Sequence, residues 1–173
     1  MFQIGEVVSY GTMGICTIVD IRMEALTRAG VKKQEYYVLR PASSPTCMTY
    51  VPTGNPQLTA KIRRIMTKEE IDAMIDSVQG QCVEWIEDTR QRTDAFQKIL
   101  SGGISAKLLM LIGCLYLEKK NKSKGGKKFC ATDERILSFA ERIVSEEFSY
   151  ALQIPEKEVS AYIANRMEND KKR

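Results

Sequence analysis

The chemistry open to this chain is narrowed first by a residue type it lacks: its 173 residues include no His. That removes imidazole as a general base, as the partner of a Ser or Cys nucleophile, and as a zinc ligand. The acidic pairs that could stand in, Glu69/Glu70 and Glu146/Glu147, are neighbours within helical patterns. Adjacent helical residues diverge by about 100°, so neither pair can flank one substrate as acid and base. Glu69 and Glu70 read instead as first-turn partners of a helix dipole. The five Cys (Cys16, Cys47, Cys82, Cys114, Cys130) contain no C-x-x-C pair for metal or redox work. They read as reduced thiols, mostly buried as small hydrophobes, in a cytoplasmic protein. No catalytic residue, no metal site, no cofactor and no small-molecule substrate is expected.

What remains is binding chemistry. Lys119, Lys120, Lys122, Lys124, Lys127 and Lys128 place six cations in ten residues without an acid among them. Such a run gives sequence-independent phosphate affinity by counterion release, or is simply a solvated connector. Gly125–Lys128 resembles a phosphate loop only superficially, since it lacks the leading Gly, the following Ser or Thr and a preceding strand. Trp85 is the only Trp. Its size and its N–H donor suit either a wedge at a DNA base step or the edge of a core stripe. On a helix, Trp85 lies roughly 65° from the centre of a stripe made by Ile86, Thr93, Phe96 and Leu100. Arg90 and Arg92 flank that stripe, where they reach phosphates or are merely solvated.

The elements that must position these residues fall into two grammars. Over residues 1–66, Val7, Val8 and Tyr10 lead into the turn Gly11–Gly14. Ile15–Ala25 then alternates with Ile15, Thr17, Val19 and Ile21 on one side, the period of a strand. Gly30 punctuates a loop, Glu35–Arg40 is β-branched and aromatic, and Cys47–Val51 is a short strand stopped by Pro52. Four or five short strands in this span predict a small, strongly bent barrel or half-barrel.

Residues 67–173 read as a bundle of helices. Thr67 and Glu70 make a capping box for a helix to about Val78, with Ile71, Met74 and Ile75 on one face. A second helix is expected from about Cys82 to Leu100, ended by Ser101–Gly103. A third, Ser105 to about Lys119, is apolar nearly all round and is placed at the bundle's centre. Lys119–Lys128 follows as a loop. A fourth helix is capped at Thr132 and runs to Leu152, with Asp133 and Glu134 on its dipole; a last one starts at Pro155. The tail Glu168–Arg173 is expected to fray. The fold class is therefore α+β, an N-terminal β module followed by an all-α domain.

Composition limits the rest. Hydrophobic residues at 43% and charged residues at 28% exclude a disordered or collagen-like chain. The net charge of +4 permits a nucleic-acid partner without requiring one. Residues 130–173 carry 7 basic and 9 acidic groups, so a DNA-facing surface belongs to the middle of the chain. The longest apolar run, Leu108–Leu117, is too short for a bilayer, which needs about 20 residues. The opening residues lack the pattern of a secretion signal, and no membrane partner is expected.

In their order, several segments resemble the CarD family of bacterial transcription regulators, whose N-terminal module is shared with the polymerase-interacting domain of the transcription-repair coupling factor. The segments are Phe2–Gly14, Gln34–Arg40, Thr49–Pro52 and Ser101–Gly103, then the series Asp133, Leu137, Ala140, Ile143, Glu147, Phe148 and Ala151. The resemblance covers about residues 1–155. It implies a Tudor-like, SH3-type β module that binds the β subunit of RNA polymerase, and a helical domain whose Trp wedges in the minor groove of promoter DNA and stabilises the open complex without base-specific readout. The residues diverge from the family's pattern at its contacts. Tyr10–Gly14 replaces a Tyr-Pro-x-His-Gly turn. Two polymerase-contacting arginines align with Glu24 and Tyr50, and Arg22 lies two residues from the first. The family's Trp aligns with Asp88, three residues after Trp85, whereas its following Arg matches Arg90. The expected polymerase-binding set is thus Arg22, Glu24 and Tyr50. The expected DNA-binding set is Trp85, Arg90, Arg92 and the six Lys. A module of the same fold that binds polymerase or another protein but has lost the DNA contact is the alternative.

Overall fold

The computed structural model describes residues 2–25 and 33–169. The loop read at Gly30 lies outside them, as does the end of the charged tail. The chain divides into two compact units, Met1–Ile65 and Met66–Arg173.

The first unit is an antiparallel sheet of β1 (Val7–Tyr10), β2 (Ile15–Glu24), β3 (Gln34–Pro41), β4 (Thr49–Pro52) and β5 (Ile62–Arg64). Their spatial order is β4-β3-β2-β1-β5. The expected barrel does not close: β4 and β5 remain the two edges. Between β4 and β5, Asn55 caps a one-turn helix, α1 (Pro56–Thr59), by accepting from the Gln57 and Leu58 amides. Neither α1 nor β5 was distinguishable from periodicity, because each is four residues or fewer.

The buried stripe of β2 is not the alternation read from the sequence. Cys16 and Ile18 are the fully buried residues, packed with Val8, Leu39 and Val51. The register with β3 then slips between Ile18 and Asp20, where Val19 forms a bulge. One extra residue inverts the facing of everything after it. Ile21 therefore joins the core cluster, while Asp20, Arg22 and Glu24 turn to the opposite face. Without the bulge those three charged groups would point into the core.

The second unit comprises α2 (Lys68–Ser77), α3 (Thr89–Ser101), α4 (Ala106–Lys124), α5 (Ala131–Leu152) and α6 (Glu156–Asn169). The capping box of α2 forms as expected from both of its partners, Thr67 and Glu70. The centre of the bundle is α5 rather than α4, because α5 packs against each of the other four helices. It buries Ile136, Leu137, Ala140, Ile143, Val144 and Phe148, whereas α4 leaves Tyr116 and Leu117 about half exposed. Cys130, not Thr132, occupies the cap position of α5, and Pro155 immediately precedes α6.

Two boundaries move by more than a turn. The helix expected from Cys82 begins only at Thr89; Asp88 caps it by accepting from the Gln91 amide at 2.8 Å. Residues 82–86 are non-helical, so Trp85 lies on a connecting strap. The Lys run is not a loop over most of its length, since α4 continues to Lys124. There Gly126 takes φ +68°. The Gly126 amide bonds the Ser123 carbonyl at 3.2 Å and the Lys127 amide the Lys122 carbonyl at 2.9 Å. This pair of bonds is a Schellman motif, and its left-handed position is what Gly126 is for.

Candidate functional site

The β unit gathers Arg22, Glu24 and Tyr50 into one cluster on the face that the bulge creates. Arg22 Nη2 donates to the Tyr50 hydroxyl at 2.8 Å, and its guanidinium carbon stands 5.6 Å from the Tyr50 ring centroid. Nε lies 3.1 Å from Glu24 Oε1 and Nη1 lies 3.6 Å from Asp20 Oδ2. Arg22 is thus a cation held between two carboxylates and braced on an aromatic ring. Tyr36 packs edge-on to Tyr50 at 6.3 Å, extending the aromatic surface onto β3.

This cluster adjoins a strand edge. The Thr53 amide bonds the Glu35 carbonyl at 2.9 Å. Backbone direction alternates along an antiparallel ladder, so the main chain of Tyr50, opposite Val38, points away from β3. An outer strand offering such groups is a template for an added strand. Among the described residues no group of three or more His, Cys, Asp or Glu side chains converges to hold a metal. No disulfide joins any of the five Cys; only Cys16 and Cys114 are buried, and Cys47 and Cys82 are exposed, contrary to the burial expected of most of them.

In the helical unit the strap residue Trp85 meets two cations. Arg92 stands 4.4 Å from its ring centroid and Lys122 stands 5.3 Å. Phe96 supports the indole from the core, with centroids 6.2 Å apart. Sequence places Lys122 far from Trp85; the fold brings them together because α4 runs on as a helix through the Lys cluster. Lys120, Lys124, Lys127 and Lys128 are exposed, and Lys119 pairs with Glu134 at 2.7 Å. Arg90 is exposed on the first turn of α3.

Arg92 departs most from its expected place. Read as a surface cation, it is 3% exposed. Its Nε and Nη2 reach the two oxygens of Asp133 at 3.3 and 3.0 Å. Nη1 donates to the Ile86 and Glu87 carbonyls at 2.7 and 2.9 Å, and Nη2 also reaches Thr89 Oγ1 at 3.4 Å. A guanidinium has five N–H donors, and these five acceptors use them all. None is left for a phosphate. Asp133, expected only as a dipole partner, is the buried counter-ion of Arg92. The hint in the sequence was a charged residue in the midst of an apolar α5 face, beside Ile136 and Leu137.

Residues 2–66 match the family model described as the CarD-like/TRCF RID domain. The first unit is a protein-interaction module of the CarD-like/TRCF RNA-polymerase-interacting class. A search of the curated proteins finds no match. Among the described residues no helix is long and apolar enough to cross a membrane.

Proposed function

We propose that this chain is a non-enzymatic bacterial transcription regulator, acting in the cytoplasm, that binds the β subunit of RNA polymerase through residues 1–66 and promoter DNA through residues 67–173. The observation that carries the reading is the match of residues 2–66 to the polymerase-interacting domain. A strand of the polymerase adds to the β4 edge, and Arg22, Glu24 and Tyr50 grip it beside the ladder. Edge pairing supplies affinity from main-chain bonds, and the side-chain cluster supplies selectivity.

The DNA half rests on the convergence of Trp85 with Lys122. A planar aromatic beside a ridge of lysines suits a base step flanked by phosphates. Trp85 enters the minor groove at the edge of the melted region, Arg90 and the six Lys bind phosphates, and Arg92 holds the strap from behind. Nothing in this set reads base edges, so the contact is independent of sequence and stabilises the open complex.

A second reading keeps the polymerase contact and discards the DNA wedge. The packing of Trp85 on Phe96 and Arg92 favours it, because those contacts also suit an indole that only closes the core. Co-purification of the full chain with core polymerase, then a gel shift on a forked promoter fragment, separates the two. A supershift beyond polymerase alone, lost in Trp85→Ala, supports the first; polymerase binding without a supershift supports the second. Absence of any polymerase binding contradicts both.

A further inference from the structure

A groove on the helical unit lies between α4 and α6 and is floored by α5. Leu109, Ile112, Val144, Val159 and Ile163 line it, and its volume is about 320 Å³. That is roughly twice the ~150 Å³ of a cavity that holds benzene, so it has room for about a dozen non-hydrogen atoms. Ligand sites are typically apolar hollows of this order with a few polar groups at fixed places.

Gly113 shapes the groove. It sits in the interior of α4, where glycine is the least favourable residue apart from proline. A Cβ built there would have no heavy atom within 4 Å, so bundle packing does not demand glycine. What the missing side chain leaves is width, on the wall of the groove itself. The electrostatics are equally one-sided. Among the described residues Glu141 is the only charged one of the lining, and no ion pair there includes it. The Tyr116 hydroxyl donates to Glu141 Oε1 at the same place. That bond pushes the phenol's pKa up to about 12.

We propose that the α4–α5–α6 groove binds a compact apolar ligand carrying a cationic amine, with Glu141 as its counter-ion and Gly113 as the residue that makes room for it. The apolar body fills the space beside Gly113 and the ammonium donates to the carboxylate, a charge-assisted bond stronger than a neutral one. The lining shares no residue with the proposed polymerase and DNA contacts, and the proposal does not depend on them.

The test uses the full chain with tryptamine and its neutral isostere tryptophol as probes, followed by titration calorimetry and by NMR of the Ile112, Val144 and Ile163 methyl groups. Tryptamine is expected to bind with a Kd of about 1 mM or tighter, to shift those methyls, and to bind about tenfold more tightly than tryptophol. Glu141→Gln should erase the difference between the two probes. Gly113→Leu, which exchanges a poor helix former for a good one, should abolish binding of both while thermal stability is retained or raised. No binding to the unaltered chain, equal affinity for both probes, or undiminished binding in Gly113→Leu overturns the proposal. Self-association that disappears in Gly113→Leu assigns the groove to a second copy and overturns it as well.

Discussion

Arg92 and Asp133 form an ion pair at 3.0 Å in which neither side chain is more than 4% exposed. The pair joins the first turn of α3 to the first turn of α5, and through the Ile86 and Glu87 carbonyls it also fixes the strap that carries Trp85. Breaking a buried pair from one side leaves an uncompensated charge, at a cost of about 3–5 kcal/mol. Asp133→Leu or Arg92→Met alone should lose that much in denaturant unfolding. The double variant should lose less than the sum of the two. Additive losses would show that the two side chains do not depend on each other.

Arg92→Lys isolates geometry from charge. An ammonium cannot serve five acceptors in a plane. The lysine variant should fold but release the strap, seen as faster amide exchange at residues 82–88 with little change in α5. Unaltered exchange there would remove Arg92 from its positioning role.

Trp85 is half-buried, so its truncation separates packing from binding. Loss of its contact with Phe96 and of two cation–π contacts should cost about 2 kcal/mol, below the 3–5 typical of a fully buried Trp. On the proposed function, Trp85→Ala also shortens the lifetime of the open complex on a promoter. An unchanged lifetime in a folded variant favours the reading without a DNA wedge.

The exposed lysines should act as a unit on DNA affinity alone. Changing Lys120, Lys124, Lys127 and Lys128 to Gln removes up to four phosphate contacts and should reduce the slope of log K against log salt by about 3 to 4. Sequence preference should not move, and stability should change by less than about 0.5 kcal/mol, as for surface sites generally. An unchanged slope would make the ridge a solvated helix end.

Acid should loosen the packing of α6 on α2. Arg166 donates to both oxygens of Asp76 at 2.8 and 2.7 Å, and Tyr162 donates to Asp72 at 2.6 Å. The Arg166 hydrogen bond holds the Asp76 carboxyl below its ordinary value of 3.8. The fold therefore binds that proton more weakly than the unfolded chain does. The stability it lends is present above 3.8 and is lost as the pH falls through and below that value. The Tm of the unaltered chain should drop more steeply between about pH 5 and about pH 2 than that of Asp76→Asn. Parallel curves would contradict this.

Features set by neighbours in sequence were legible before the structure; features set by distant pairing were not. The α2 cap was readable because both of its partners lie within three residues. The late start of α3 had a local signal as well, since Asp88 with Gln91 three residues on has the form of a helix start. An amphipathic spacing running from Ile86 through Phe96 concealed it. The bulge at Val19 had no such signal, for it exists only against β3, yet it decides which face carries Arg22. Likewise, Arg92 looked like any other surface arginine. Its burial depends on Asp133, and α5 supplies that partner only after the bundle has packed.

The proposed function requires polymerase to bind on the face holding Arg22 and Tyr50. The direct measurement is the affinity of the full chain for core RNA polymerase, for the unaltered protein and for Arg22→Glu. Arg22 is about half exposed, so the charge reversal should leave the fold intact while breaking its contacts to Glu24, Asp20 and Tyr50. The unaltered chain should bind, and the variant should lose about tenfold or more in affinity, the scale of one charged interface contact. Equal affinity for the two proteins would contradict it.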